Sequence, residues 1–466
     1  MRDARLRRAM RAAAALVCAT IGVAPASAQV SDAFRHAVPR PTPADAELSL
    51  SLADAVQRGL DANLGIILEQ ERLKGVEGLR LRQLSALLPH ASFDVRQTVQ
   101  KVNLAAFGFT GFPGVPQVIG PFGVFDARVG VSAPIFDASA RAEWRSARAL
   151  VDTATHSAKQ ARETVVLVVS SLYLEAIADA ARVEAARSQV ETADALARLA
   201  TDQKTGGLIA GIDVLRQQVQ LESARARLIA SENNLANDTL SLARAIGLPA
   251  MQKIALSDRP VFTPTPALDI DAIVDAAART REDLKTAEAR VDAARAARQS
   301  AAGGALPTFR IDADIAAVGS SASTAARTFD VAASVRVPLF DGGITRGKVQ
   351  QADAELRARE AELADLRTGV RFEVLAAVHD MTAADARVVV ARSAEGLARQ
   401  QLEQAQDRFR AGVASTIELV QAEESLAAAS EQLVSSVHAH ALAKAGLARA
   451  TGQVEARFKE LVGGQK

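Results

Sequence analysis

One cysteine occurs in the 466 residues of this sequence, and its scarcity excludes thiol chemistry as a basis for function. That residue, Cys18, lies in a stretch over 1–28 with a basic start, an apolar middle and small residues at its end, which is the pattern of a secretory signal. Removal of the signal would leave no disulfide and no free thiol. Leu16 and Val17, which precede Cys18, are not the small residues that a lipidation site requires. We therefore expect a secreted chain without a lipid anchor.

Neither sign of charge dominates the sequence, which has 55 basic and 54 acidic residues. The signal contains five of the basic residues and one of the acidic residues, so the mature chain has a net charge of about −3. This balance does not indicate a nucleic-acid partner. The sequence after the signal contains no run of about eighteen apolar residues, so we expect no transmembrane helix there. A secreted chain that enters a membrane without such a helix must do so with β-strands.

Residue sets that perform catalysis or bind metals are also missing from the sequence. We find no serine, histidine and acid set, no phosphate-binding loop and no zinc pattern. His438 and His440 are two residues apart on a predicted helix, so their side chains point away from each other. An enzyme with a coiled-coil arm would need a polar catalytic cluster that the sequence lacks. We therefore expect no enzyme activity, no cofactor and no metal site.

Two similar stretches, 125–137 and 329–343, organise the rest of the chain. In each, about nine residues alternate between apolar and polar side chains, beginning at Phe125 and at Phe329. Successive side chains on a strand point to opposite faces, so each stretch predicts a strand with one apolar and one polar face. About nine residues are also enough to cross a bilayer core as a tilted strand.

Each of these strands is preceded by another, at 93–102 and at 309–315, which predicts hairpins at about 91–134 and 307–338. A stretch rich in glycine and proline over 107–123 predicts a long irregular loop in the first hairpin. Ten of the 15 phenylalanines lie between Phe93 and Phe136 or between Phe309 and Phe340, where the aromatic girdles of a membrane barrel would lie. A soluble β-domain with an aromatic core is the alternative. The predicted polar face contains Asp94, Arg96, Asp126, Arg128, Arg310, Asp312, Asp314, Asp330 and Arg336.

A very long helix is predicted after each hairpin. Helical periodicity without proline extends over about 138–204 and about 344–410, and each stretch has more than sixty residues. Helices of this length are typical of a coiled coil or a helical tube. The shorter predicted helices lie at 50–87, 212–245, 270–302 and 415–450. In each repeat, the two shorter helices laid end to end are about as long as the long helix. This predicts a packing of two antiparallel layers, with the long helix against the two shorter ones.

The whole pattern occurs twice, which indicates an internal duplication. The two strand–helix junctions are 204 residues apart, and the closing motifs at Gly247 and Gly452 are 205 apart. The domain prediction is a signal over 1–28, an extended tether over 29–48, a first repeat over 49–262, a second repeat over 263–452 and a tail over 453–466.

Four strands of membrane length cannot close a barrel, because open edges in lipid leave backbone groups without hydrogen bonds. About eight strands make the smallest membrane barrel, so at least two chains must contribute. Two chains would give about eight strands and an interior filled with side chains, whereas three would give about twelve and room for a lumen. The charged face suits water in such a lumen.

Over essentially the whole mature length, the chain resembles the TolC-like outer-membrane efflux protein family. The resemblance is carried by the duplication, by the junctions Pro134-Ile-Phe-Asp137 and Pro338-Leu-Phe-Asp-Gly-Gly343, and by the hairpin tips at 207–215 and 408–419. It implies a mainly α fold with membrane β-strands: a homotrimer with a twelve-stranded barrel in the outer membrane and an α-helical barrel in the periplasm. It also implies a passive export channel, docked onto a periplasmic adaptor and an inner-membrane transporter.

The resemblance implies which residues line the closed periplasmic entrance. Glu418 and Gln421 occupy two positions of the second tip where the best-known members have acids, and Asp213 is the first-repeat counterpart of Glu418. Ala414 stands where those members have an arginine that helps to hold the entrance shut. Ser415 and Glu418 also form a capping-box pattern, so a purely structural role stays open for Glu418.

The tips are also where members of the family meet the adaptor. The candidate docking residues are Gly207, Leu208, Gly412 and Val413. The candidate junction residues are Pro134, Asp137, Pro338, Asp341, Gly342 and Gly343, of which the two aspartates are expected to be helix N-caps. A periplasmic coiled-coil adaptor is the alternative function, and it would have one long hairpin and no amphipathic membrane strands.

Overall fold

The computed structural model describes residues 33–39, 47–108, 116–259, 262–266 and 269–462. The predicted signal, most of the predicted tether and the end of the tail lie outside the described residues. The described chain forms two compact units. Unit 1 contains residues up to 69, 159–281 and 370 onward, and unit 2 contains 70–158 and 282–369.

The elements follow one order twice. The first repeat contains β1 (Leu48–Leu50), α1 (Leu52–Ala62), α2 (Leu64–Ser85), β2 (His90–Asn103), β3 (Val118–Phe136), α3 (Ala138–Thr205) and α4 (Gly211–Ala245). The second contains β4 (Ile254–Leu256), α5 (Ile270–Thr280), α6 (Glu282–Gly303), β5 (Thr308–Gly319), β6 (Ala326–Arg336), α7 (Ile344–Arg410) and α8 (Thr416–Ala450). A short helix, α9 (Val454–Arg457), and a 3₁₀ turn (Phe458–Val462) follow.

The two long predicted helices are confirmed almost to the residue. Helices α3 and α7 contain 68 and 67 residues, or roughly 100 Å each at about 1.5 Å per residue. The three shorter helices of each repeat contain 11, 22 and 35 residues, which matches the length of the long helix. The abundance of alanine without proline explains why the pattern continues uninterrupted.

The sequence predicted one continuous helix before each hairpin, at 50–87 and at 270–302. This prediction was wrong in one respect, because each of these stretches forms two helices with a break between them. The first break is at Asn63, with φ −65° and ψ 131°, and the second at Arg281, with φ −61° and ψ 123°. At the first break the buried Asn63 amide Nδ2 donates to the carbonyl of Phe34 at 2.7 Å, and its Oδ1 accepts from the backbone N–H of Gly65 at 2.8 Å. These side-chain hydrogen bonds replace backbone hydrogen bonds of a continuous helix. They cannot be predicted from the spacing of apolar residues.

The closing glycines predicted to end α4 and α8 do so in the left-handed conformation, with φ +75° at Gly247 and +65° at Gly452. Each lies against the break of its own repeat. A Cβ on Gly247 would meet Ala62 at 3.2 Å, and one on Gly452 would meet the backbone of Arg281 at 3.0 Å. Positive φ and close approach therefore both require glycine here.

The strands of unit 2 form one antiparallel sheet in the order β2–β3–β5–β6. β3 begins earlier than expected, since the loop predicted over 107–123 is strand from Val118 onward. Pro121 is accommodated at an irregularity, where the pairing with β2 shifts between Gln100 and Val102. A proline is compatible with a strand at such a bulge, because no ladder hydrogen bond is needed from it.

The main apolar core of unit 1 surrounds the middle of α3. Tyr173, with no exposed surface, packs there with residues of α1, α4 and α8. A small parallel sheet of β1 and β4, which the sequence did not predict, closes one side of this core. The described part of the predicted tail packs against this core, since Val454 of α9 and Leu461 of the 3₁₀ turn are buried in it.

Candidate functional site

One face of the four-stranded sheet is apolar and uncovered. The register aligns Phe93, Val129, Ile315 and Phe329 in one row across all four strands. Their exposed fractions are 68%, 50%, 66% and 81%, so the rest of the described chain does not cover them. A contiguous apolar surface is unfavourable in water, and it indicates contact with lipid or with another protein.

The opposite face holds all the charged residues predicted for it, as the register shows. On β2 and β3, Asp94 lies opposite Arg128, and Arg96 lies opposite Asp126. The Arg128 guanidinium donates to Asp314 at 2.9 Å and to Asp126 at 3.2 Å. Cross-strand pairs of opposite charge support this register, and a charged face of this kind requires water beside it.

The first junction turns a strand into a helix within one residue. β3 ends at Phe136, and the Asp137 carboxylate accepts the backbone N–H of Ala140 at 2.9 Å. This is the bond of an N-cap residue, which α3 needs because its first amides have no partner within the helix. Pro134 lies at a shift in the register between β3 and β5, after which Phe136 pairs with Phe309.

The second junction differs from the N-cap prediction for Asp341. Helix α7 begins at Ile344, so Asp341 precedes the cap position by two residues. Its carboxylate accepts from the N–H groups of Gly343 at 2.9 Å and Thr345 at 2.8 Å, and hydrogen bonds from Thr345 and then Gly343 lower the pKa of Asp341. Gly342 and Gly343 have φ +65° and +90°, which glycine adopts without strain. Pro338 lies just beyond the end of β6.

The two helix-hairpin tips of unit 1 share one backbone motif. At the first tip Gly207 has φ +74°, and the N–H of Leu208 donates to the carbonyl of Gln203 at 2.8 Å. At the second, Gly412 has φ +71°, and the N–H of Val413 donates to Arg408 at 2.9 Å. Both are Schellman ends, which place an apolar residue after the glycine. Leu208 and Val413 are nevertheless 76% and 67% exposed.

The acids at the tips each have a basic partner. Glu418 Oε1 lies 3.2 Å from Nε of Arg408, a pairing across the turn that the sequence did not predict. Ser415 Oγ accepts the N–H of Glu418 at 3.3 Å, so the serine half of the predicted capping box is present. In the first repeat, Asp213 lies 2.9 Å from Arg216. Gln421 is exposed and lies one turn after Ile417 on α8.

One set of acidic side chains has spacing suited to a cation. Oxygens of Glu175, Asp179 and Asp238 lie within 4.8 Å of one another. The Arg182 guanidinium already lies 2.5 Å from Asp179 and 3.5 Å from Glu175, and it supplies the positive charge that the set needs. Burial and then the neighbouring Asp179 raise the pKa of Asp238. We therefore interpret the set as a buried ionic network.

The two histidines predicted not to act together have different partners. His438 Nε2 lies 3.1 Å from Glu175, and His440 Nε2 lies 3.0 Å from Asp385. Burial lowers the pKa of both imidazoles, and the acids only partly offset it. His440 also packs edge-on against Phe262, with ring centroids 4.9 Å apart, so it holds the linker between the repeats.

Helix α3 contains an 18-residue window with mean hydropathy 1.6, which by length and composition alone could cross a membrane. The expectation that no such stretch follows the signal was therefore too strict. Of this window, 56% is buried inside the molecule, and the same helix supplies Val165, Val166 and Tyr173 to the core. We interpret it as a core helix.

Comparisons with known proteins agree with this arrangement. The family model described as outer membrane efflux protein matches residues 121–248 and 273–453. Protein CyaE of Bordetella pertussis is 29% identical over 262 residues, which cover 54% of each chain. The pyoverdine export outer membrane protein OpmQ of Pseudomonas aeruginosa is 26% identical over 330 residues, covering 67% of this chain and 66% of OpmQ. The chain thus matches about half to two-thirds of these relatives.

Solved structures share the fold at lower identity. The outer-membrane channel OprN has a TM-score of 0.76 at 20% identity, covering 86% of this chain and 90% of OprN. The outer membrane protein VceC of Vibrio cholerae has a TM-score of 0.75 at 19% identity, covering 86% and 96%. The CmeC outer membrane channel of Campylobacter jejuni has 0.76 at 15%, covering 88% and 89%.

Proposed function

Because the chain belongs to the outer membrane efflux protein family, we propose that it is the outer-membrane channel of a tripartite export system. The family consists of channel and transport proteins of the outer membrane. In this role the chain is a passive duct, and an inner-membrane transporter supplies the energy through a periplasmic adaptor. The observation that supports this role most directly is the sheet with one uncovered apolar face and one charged face.

Three copies of the sheet would close into a barrel of about twelve strands. β2 and β6 are the outer strands of the four-stranded sheet. Because every neighbouring pair is antiparallel, β6 of one copy and β2 of the next also run in opposite directions and can pair. Such pairing satisfies the backbone groups that lipid cannot. The charged face then lines a water-filled lumen, and the row at Phe329 faces lipid.

Cysteine labelling tests this orientation, since the chain beyond the predicted signal contains no cysteine. Phe329→Cys and Asp330→Cys are adjacent on β6, and both side chains are exposed in the single chain. We expect a polar, membrane-impermeant maleimide to label Asp330→Cys and to react slowly with Phe329→Cys in outer membranes. Both variants should label equally after unfolding in urea, which is the control. Equal labelling in the membrane would contradict the barrel.

At the periplasmic entrance we propose that Glu418, Gln421 and Asp213 face the passage, with Arg408 as the basic partner of Glu418. Three copies would then present a ring of acids, the arrangement that gives a pore its preference for cations. Glu418→Gln removes the charge and keeps the Ser415 cap. We expect its single-channel recordings to show a lower preference for cations over anions than the wild type. An unchanged conductance and ion preference would contradict the proposed role of Glu418 at the entrance.

We propose that the adaptor docks onto Leu208 and Val413. Gly207 and Gly412 hold these side chains outward, and an arginine at Gly412 would strain a φ of +71° whatever the docking role. Leu208→Glu and Val413→Glu test docking without that strain. Since exposed apolar anchors carry much of the binding energy, we expect each to weaken adaptor binding about tenfold in co-purification from outer and inner membranes. Met251→Glu, at a side chain 86% exposed and away from both tips in sequence, is the control.

A periplasmic adaptor, the alternative function, is not favoured. It would contain one long hairpin, whereas α3 with α4 and α7 with α8 give two. It would also have no use for a four-stranded sheet with an uncovered apolar face.

A further inference from the structure

Helix α8 buries a carboxyl group beside apolar residues of its packing face. Leu419 and Ala422 on this face are fully buried, and Glu423 is 8% exposed, whereas the next residue, Glu424, is exposed. An unpaired charge in such a place is costly, because the protein interior does not replace the water that stabilises it.

Neither oxygen of Glu423 has a hydrogen-bond partner among the described residues. The carboxyl group lies at a cavity of about 50 Å³ between α3, α4, α7 and α8. Hydroxyl and amide groups of Ser188, Thr192 and Gln220 line the cavity, and they can exchange hydrogen bonds with a carboxylic acid. On α4, the buried Gln217 one turn from Gln220 also has an unpartnered amide.

The charges that surround Glu423 are few. From α4, Arg227 faces the cavity, and on α8 itself Glu424 is adjacent. The cavity-lining residues of α3 and α7, such as Thr192 and Leu402, carry no ionisable group. Burial therefore dominates and raises the pKa of Glu423 to about 7, while Arg227 counteracts only part of this effect. A single carboxylate beside an arginine does not suit a metal ion, but it suits a proton.

We propose that Glu423 is a proton-binding site that ties the packing of α8 against α3 and α4 to the pH of the periplasm. At acidic pH the group is the neutral acid, for which burial without a hydrogen-bond partner costs far less than for a carboxylate, and the helices pack closely. At higher pH the proton returns to solvent, and the carboxylate requires water or Arg227, which loosens the packing.

The direction of the effect follows from proton linkage. The folded protein holds the proton of Glu423 up to about pH 7, whereas an opened segment releases it near the ordinary value of 4.5. Between these values the closed state binds more protons, so its advantage is fullest at low pH and is lost as pH rises through about 7. The opening equilibrium should increase on the order of tenfold between about pH 5.5 and about pH 8.

Hydrogen exchange of the intact, detergent-solubilised protein, followed by mass spectrometry at these two pH values, tests the proposal. After correction for intrinsic exchange rates, segments around 217–227 and 419–427 of the wild type should lose protection at the higher pH. Glu423→Gln is neutral at both values and should show no such loss. Glu424→Gln, at the adjacent exposed position, is the matched control: it removes a charge but leaves the buried carboxyl, so the loss of protection should persist, with a midpoint at slightly lower pH because Glu424 helps to raise the pKa of Glu423.

A second variant keeps the test decisive if Glu423→Gln does not fold. Arg227→Gln, at an exposed position, removes the positive charge that favours the ionised form, so the loss of protection should move to higher pH. Hydrogen exchange measures the packing of these helices directly, so the result does not depend on whether the protein conducts ions as the proposed function requires. Equal pH responses in the wild type and Glu423→Gln, or an unmoved midpoint in Arg227→Gln, would overturn the proton site.

Discussion

Lysine at Val331 is expected to prevent stable insertion of the chain into the outer membrane. Val331 lies on the apolar face of β6 with 69% of its surface exposed, and the register places it in a row with Ala313 and Val131. A lysine that faces lipid near the middle of a membrane barrel costs about 2–4 kcal/mol. Three copies would bear this cost together. Outer-membrane fractions should therefore contain little heat-resistant oligomer of Val331→Lys.

Lysine one residue later provides the matched control. Ala332 is on the charged face of the same strand, directly opposite Asp312. A lysine there meets an acid and water, so Ala332→Lys should assemble as the wild type does. If both variants assembled equally well, or both failed, the two faces of the sheet would not differ in environment, and the barrel would be refuted.

The largest loss of folding stability is expected from Tyr173→Ala. Tyr173 on α3 has no exposed surface, and its hydroxyl donates to the carbonyl of Leu50 and to Asp258, both at 2.8 Å. Burial and then the bond to Asp258 raise the pKa of Tyr173 far above its ordinary value, so the hydroxyl stays protonated at physiological pH. Removing a buried aromatic ring costs about 3–5 kcal/mol. Urea unfolding of the intact, detergent-solubilised protein, followed by circular dichroism, should show a much lower midpoint.

Tyr173→Phe separates the ring from the hydroxyl. It keeps the packing and leaves Asp258 with the N–H of Leu52, which it already accepts at 2.7 Å. The expected loss is about 0.5–1.5 kcal/mol, the usual net contribution of one hydrogen bond. Stability losses of equal size in the two variants would show that hydrogen bonding, and not ring packing, governs this core.

The regular parts of the fold could be predicted because periodicity reports which face is buried. Helices α3 and α7 and strand β6 match their predictions closely, since long uniform patterns average out single residues. The sheet register also brought the predicted charged residues onto one face. Alternation could predict the two faces, but it could not predict which strand pairs with which.

The missed features depend on single side chains and on distant contacts. The break at Asn63 is accompanied by hydrogen bonds of its side chain, and β1 pairs with β4 across about two hundred residues. Arg408 reaches Glu418 only because of the Schellman turn between them. Glu423 did leave a signal, because it falls on the same helical face as Leu419 and Leu426.

The two closing glycines have a consequence for how the chain can be divided. Gly247 lies against Ala62 within the first repeat, and Gly452 lies against Arg281 within the second. Neither of these two contacts involves a residue of the other repeat. A backbone cut in the connection between Leu256 and Ile270 would therefore leave both glycine contacts intact.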